Sequence, residues 1–401
     1  YQFNPLQNYG VFSNDASLLL PTNSLGTKYY VFSRQQDGAY RSYVTVVGAL
    51  PGTTNVKVVP STRTLASTTG TSVPAMEKGQ AKTFAVKQGE VLNIESDQEK
   101  GDLTGTYIES DRPVAVFGGS EASNSPSFGN CVPDGEGGSK KVCASTVLTG
   151  NSWDIKYCTK DTDCEAECCS DHLEEQLFPV DAWGKQYVGG RLQPRGKERD
   201  AWRILAAENS TKITLTPAVA TVPLLNKGDW YEFETTQDFL IQADKPIQVG
   251  HYMASSYATV TKGVATCNSD SECVSKHGFM ATCMSGGWEK YCAPIGDPSL
   301  ILSVATDQYL DKYLFLVPDK YKLNYINILA PQGASAIIDG QTIAQQVFVN
   351  VQGTGWAVAR MLISPGTHRL ESNQKVGLLV YGYDDDVSYG YPGGAGLATT
   401  E

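Results

Sequence analysis

Apolar and polar residues alternate with a period of two along most of this 401-residue chain, the pattern of strands that bury one face. Residues 42–47, 54–59, 202–207, 211–216, 324–329 and 334–338 all read this way. Turn residues separate the two members of each pair: Pro51-Gly52, Asn209-Ser210 and Gln332-Gly333. A helical period is almost absent, and only residues 171–177 are expected to make a turn or two of helix. The pattern predicts an all-β protein of antiparallel strands joined by short turns.

The strand pairs belong to a larger repeat. Three segments open alike, with Gly26-Thr27-Lys28-Tyr29, Gly184-Lys185-Gln186-Tyr187 and Leu310-Asp311-Lys312-Tyr313 each leading into a β-rich run. They also close alike: Asp111-Arg112-Pro113-Val114 matches Asp244-Lys245-Pro246-Ile247, and Asn373-Gln374-Lys375-Val376 keeps the turn without the proline. An Asx residue followed by proline at the start of a strand predicts a hairpin corner. The expected architecture is three repeated antiparallel β modules, sandwich-like, with two disulfide-rich loop insertions. The boundaries fall at 1–125 (first module with an N-terminal segment), 126–176 (insertion), 177–260 (second module), 261–298 (insertion) and 299–401 (third module). Whether the modules are separate sandwiches or one pseudo-threefold body is left open by the pattern.

Composition narrows the class. Hydrophobic residues at 41% and charged residues at 19% favour a folded chain, and 21 tyrosines lean toward strands. A net charge of −11 argues against a nucleic-acid partner. Short basic clusters, Lys140-Lys141 and residues 195–199, read as solvated surface. No apolar run is long enough to form a transmembrane segment. The chain starts with Tyr1 and shows no signal peptide, so it reads as a mature or trimmed form.

The ten cysteines fall into two even groups: Cys131, Cys143, Cys158, Cys164, Cys168 and Cys169, then Cys267, Cys273, Cys283 and Cys292. Each group follows the closing strand of a module, after Phe117-Gly118-Gly119 and after Gly250-His251-Tyr252. Each carries a Cys-x5-Cys segment, 158–164 and 267–273. These gaps do not suit structural zinc, whereas even groups of cysteine suit disulfides in an oxidising, extracellular setting. Each Cys-x5-Cys segment is expected to bond to later cysteines of its own loop.

The matching place in the third module holds Asp384, Asp385 and Asp386, followed by Tyr389 and Tyr391. With Trp288 and Tyr291 of the second cysteine loop, these are the candidate contact residues, because tyrosine and tryptophan give large contact area at little entropic cost. Asp384 and Asp386 are a calcium candidate, and otherwise neither metal nor cofactor is expected. Among the four histidines none has metal-ligand spacing, and Gly118-Gly119-Ser120 is no nucleophile elbow. No catalytic residues are assigned.

Several of these motifs occur together: the Gly26–Tyr29 opening, Leu177-Phe178-Pro179-Val180-Asp181-Ala182-Trp183-Gly184, Gly296-Asp297-Pro298-Ser299-Leu300, and the stretch from Gly382 through Tyr383 and Asp384 to Pro392. In this combination, spanning residues 18–392, the chain resembles the N-terminal domain family of the IgG Fc-binding protein. The cysteine loops are similar to those of exported bacterial members. The resemblance implies a secreted or cell-surface adhesion or recognition module that is not an enzyme and whose partner is an extracellular protein or glycan. Two other readings remain. One is a structural subunit of a surface fibre, a homo-polymer or one of several surface subunits, with residues 1–17 pairing with a neighbour's sheet edge. The other is a carbohydrate-active enzyme.

Overall fold

In the computed structural model, Thr53–Val59 buries Thr54, Val56 and Val58 completely and leaves the residues between them more exposed, as the alternation requires. The structure describes residues 2–3, 15–67, 73–126, 131–133, 141–143, 157–160, 163–164, 169–196, 198–256, 267–277, 280–286, 289–385 and 387–397. Almost all of the regular structure is antiparallel β, in three large sheets of seven, six and eight strands, with disulfide pairs in the loops.

Each sheet is organised by one long strand: Tyr107–Ser123, Phe239–Tyr252 and Gly366–Asp384. The first half of Tyr107–Ser123 pairs with Gly26–Tyr30 and Thr53–Val59, and its second half with Ser42–Gly48 and Asp171–Gln176. Phe239–Tyr252 divides its partners in the same way, between Gly184–Gly189 with Ile213–Thr216 and Asp200–Ala206 with Leu300–Leu302. Gly366–Asp384 pairs first with Leu310–Val317 and Ala336–Ile338, then with Leu323–Pro331 and Val387–Pro392. The Asp-Arg-Pro, Asp-Lys-Pro and Asn-Gln-Lys motifs, expected as hairpin corners, are instead where each continuous strand changes partners. A bulge lets one strand serve two sheet faces, which is how sandwich corners turn.

A tyrosine braces each of these three partner changes. Tyr29 donates its hydroxyl to the carbonyl of Val114 at 2.7 Å and accepts the amide of Gly26 at 2.8 Å. Tyr187 does the same with Ile247 and Gly184 at 2.5 and 3.1 Å. Tyr313 repeats it with Val376 and Leu310 at 2.5 and 3.0 Å. The register skips at the same place each time: Gly26 faces Val114 but Lys28 faces Glu109, Gly184 faces Ile247 but Gln186 faces Gln242, and Leu310 faces Val376 but Lys312 faces Glu371.

Each sheet also receives a strand from farther along the chain. The amides of Leu177, Ser303 and Gly393 bond to the carbonyls of Val116, Val249 and Leu378 at 2.8, 2.9 and 2.7 Å. Asp171–Gln176 is therefore a strand and not the expected helical turn: Leu173 and Glu175 are buried because the segment is laid on Tyr107–Ser123. Tertiary pairing overrides a weak local preference. Gly119 allows this approach, since a Cβ there would lie 1.8 Å from the Leu173 carbonyl oxygen; a Cβ at Gly118 would lie 2.1 Å from the Phe32 carbonyl oxygen, where another segment of the first module comes close.

The three sheets form one body. A single apolar cluster takes Tyr29, Val44 and Val116 from the first, Val188, Leu205 and Met253 from the second, and Tyr325, Leu379 and Tyr381 from the third. Between the first and second sheets Arg203 is sealed in, 2.8 Å from both Asp102 and Glu232, and Arg34 shares Glu232 at 2.8 Å. The Arg203 guanidinium also stacks 3.8 Å over the Trp230 ring, so the buried charges are paired and solvated by protein. Asp15 and Glu175 occupy a second buried junction, where Ala16–Ser17, Asp171–Gln176 and Leu300–Leu302 meet. There Ala16–Ser17 pairs with Gln2–Phe3 of the same chain.

Candidate binding face

The long strands end at Ser123, Tyr252 and Asp384, and the first two lead into the cysteine groups. Their exits are bonded to one another. Ser125 donates its amide to the Ser255 hydroxyl at 3.0 Å, and the Ser255 amide donates to the Ser125 carbonyl at 2.6 Å. The Gly296 amide donates to the Asp384 carbonyl at 2.8 Å. Three connections that are far apart in sequence therefore leave the body side by side. The rule that loops on equivalent corners share a face is met here by direct hydrogen bonds.

Arginines hold the exits from beneath. Arg34 donates Nε to the Asn124 carbonyl at 3.2 Å. Arg195 spans the whole neck of the second cysteine group, reaching the carbonyls of Ala254, Ile295 (2.7 Å) and Gly296. Its guanidinium lies 4.8 Å from the Tyr383 ring centroid, and Met280 within the loop donates its amide to the Arg195 carbonyl at 2.7 Å. The reading of residues 195–199 as solvated surface is therefore wrong for Arg195, which is buried.

The described disulfides are Cys131–Cys158, Cys143–Cys164, Cys267–Cys283 and Cys273–Cys292. In the second group the Cys-x5-Cys segment bonds forward, as expected. In the first it bonds backward, to cysteines that precede it. Cys169 is also disulfide-bonded, and Cys168 lies outside the described residues.

The two units nevertheless share one plan. In each, two cysteines face one another on neighbouring strands, Cys131 opposite Cys143 and Cys283 opposite Cys292. The first of each pair bonds to the leading cysteine of the Cys-x5-Cys segment with Cα atoms 5.9 Å apart in both units. The second bonds to the trailing cysteine, at 5.4 and 5.5 Å. An acid just before the trailing cysteine ties back the turn: Asp163 accepts the Thr159 amide at 2.9 Å, and Glu272 the Asn268 amide at 2.8 Å. The chain order differs, with the strand pair first in one unit and last in the other. In the second unit the segment continues into a short helix, Asp270–His277, which the sequence reading missed.

The candidate contact residues do not all lie on this face. Tyr389 and Tyr391 are fully buried, donating to Asn324 Oδ1 at 2.7 Å and to the Leu316 carbonyl. Every residue of Val387–Pro392 is buried, so these tyrosines belong to the core and cannot supply contact area. Asp384 is half-buried; burial raises its pKa, and it accepts the amides of Asp385 (2.8 Å) and Lys322 (3.2 Å). Lys322, which no motif or spacing singles out, pairs with Asp385 at 3.0 Å and lies 3.9 Å from Asp270. It thereby links the acidic turn to the second cysteine unit. Asp386 and Trp288 lie outside the described residues, and Tyr291 stands in the strand Glu289–Pro294, opposite Met284. Exposed groups on the units include Tyr157, Thr159 and Lys160 on the first and Asn268, Ser269 and Asp270 on the second.

Comparison with known proteins gives one consistent result. The model of the family described as IgGFc binding protein matches residues 15–134 and 138–382. A human protein named IgGFc-binding protein is 26% identical over 248 residues, which cover 59% of this chain and 4% of the human protein. The chain thus corresponds to a small part of that relative's length. No solved structure matches.

Proposed function

Given that this chain belongs to the IgGFc binding protein family, we propose that it is a secreted or cell-surface recognition protein, holding a protein partner through the face that carries its two cysteine units. The observation behind this reading is the bonding of the three exits, Ser125 to Ser255 and Gly296 to Asp384, which brings the necks of separate loops side by side. Disulfides keep that surface stiff, so little conformational entropy is lost when a partner docks. They also fit an oxidising, extracellular location. Among the described residues no helix is long and apolar enough to cross a membrane.

A binding role rather than a catalytic one is supported by how the histidines are used. His251 is sealed in the core, 2.8 Å from Asp200 and stacked 3.7 Å from Trp202. His368 bridges Asp339 at 2.6 Å and the Ser364 carbonyl at 2.8 Å. His172 meets the Tyr43 hydroxyl at 3.2 Å.

The test is biolayer interferometry of the intact chain and of variants in which residues 127–170, 257–294 or both are replaced by short Gly-Ser linkers. Human IgG Fc is the first partner to try, and a glycan array covers the carbohydrate alternative. Binding that weakens in each single variant and vanishes in the double one supports the loop-bearing face. A partner held equally well by the double variant moves recognition elsewhere.

A further inference from the structure

Away from the cysteine units, a cleft of about 300 Å³ opens between the second and third sheets, at the lower end of the size range of small-molecule sites. Two arginines converge in it. Arg360 donates Nε to the Arg191 carbonyl at 2.6 Å and pairs with Asp238 through a terminal nitrogen. Arg191 gives its amide to Asp238 at 2.8 Å and a terminal nitrogen to the Glu198 carbonyl at 2.6 Å. Asp238 is the one carboxylate lining the cleft, and it already accepts from both arginines' residues.

Among its charged groups the lining therefore has more donors than acceptors. Arg191 Nε is buried and has no hydrogen-bond partner among the described residues. A buried donor left unpaired is destabilising unless something accepts from it. Gln193 and Thr236 add further polar groups at the wall. Val347 and Val349 also line the cleft, the latter 55% exposed. Two guanidiniums against one carboxylate leave local positive charge on a protein whose net charge is −11. Guanidinium groups match a carboxylate by paired N–H donors.

We propose that this cleft binds a small organic carboxylate, its charged end received by Arg191 and Arg360 and its carbon skeleton lying on Val347 and Val349. Such a group comes from the acidic sugar of a glycan or from the C-terminal residue of a peptide. The proposal is independent of the loop-bearing face, so replacing either cysteine unit leaves it standing.

The experiment titrates the whole chain, by ligand-observed NMR and calorimetry, with glucuronate against neutral glucose and with N-acetylvaline against its neutral amide. At least one acid is expected to bind while its neutral counterpart does not; which acid binds separates the sugar source from the peptide source. Arg191→Gln should weaken binding about tenfold or more, the size of a lost charge-assisted contact. Val349→Asp places a negative charge at an exposed position that can tolerate it, and should weaken binding to a similar degree with circular dichroism unchanged. Neither acid binding at up to about 10 mM, acid and neutral forms binding alike, or both variants binding as well as the parent would overturn the assignment.

Discussion

Ser299 donates its hydroxyl to Asp15 at 2.6 Å, joining residues 284 positions apart in the chain. Asp15 also accepts the amides of Ala16, Glu174 and Leu300, and Glu175 beside it accepts Ser17 and Leu302. This junction sits where the start of the chain meets strands leading into the second and third sheets. It gives the first prediction, because two acids are buried there.

Burial pushes the Asp15 carboxyl up to about 7 against the pull of its hydrogen bonds, chiefly from Ser299. Burial likewise drives Glu175 well above the usual carboxylate range. In the unfolded chain both acids titrate near pH 4. The folded protein thus retains protons that the unfolded chain has released, and stability falls as pH rises. The contribution is complete below about pH 4 and is lost as pH passes through about 7. Urea midpoints should therefore drop between about pH 5 and pH 8. Glu175→Gln can still accept the Leu302 amide through its oxygen and donate to the Ser17 hydroxyl through its nitrogen, without a titrating group, and should flatten the drop. A midpoint that climbs over this interval would contradict the assignment.

The three bulge tyrosines give a prediction that can be checked against itself. Tyr29→Phe, Tyr187→Phe and Tyr313→Phe each strip a carbonyl and an amide of their buried partner while keeping the ring. Each should cost roughly 1–3 kcal/mol in denaturant unfolding, with similar values at the three sites. A cost at only one site would show that the bulges are braced by different means.

The alternation in residues 54–59 made that strand legible, since burial of one face dictates the side-chain period directly, whereas residues 324–329, read the same way, are buried on both faces. The long strands were not legible, because a partner change at Asp111-Arg112-Pro113 leaves the same local composition as a turn. Tyr389 and Tyr391 show the same limit from the other side. An amphipathic phenol alternating with glycine or serine suits surface and core equally, and only the pairing of Val387–Pro392 with Gly366–Asp384 decides. Within the candidate face, even cysteine groups announced disulfides, yet spacing carried no trace of the reversed order of strand pair and Cys-x5-Cys segment. Lys322 and Arg195 act across modules, where no local period could reveal them.

Gly118 tests the close approach that brings the first sheet together. A methyl group there would press on the Phe32 carbonyl, which is backbone and cannot swing aside. Gly118→Ala should destabilise the chain by about 1–3 kcal/mol, read as a lower thermal midpoint. Gly79→Ala makes the contrast. Nothing lies near its Cβ, but its φ of 78° strains any side chain, so its smaller cost, about 1 kcal/mol, measures conformation alone. Equal costs at the two positions would remove the steric argument for Gly118.

Arg195 connects stability of the fold to order of the binding face. Its guanidinium gathers carbonyls from both sides of the neck, Ala254 on one and Ile295 and Gly296 on the other, while Tyr383 covers it. Lysine would keep the charge but cannot span three carbonyls with a planar fork. In Arg195→Lys the sheets should keep their packing, because the neck lies outside the strand ladders. Hydrogen exchange should accelerate over residues 254–256 and 280–296, and slow dissociation from a bound partner should become fast. Faster exchange spread evenly through Asp200–Ala206 and Phe239–Tyr252 would instead make Arg195 a general core residue and sever the link between this clasp and recognition.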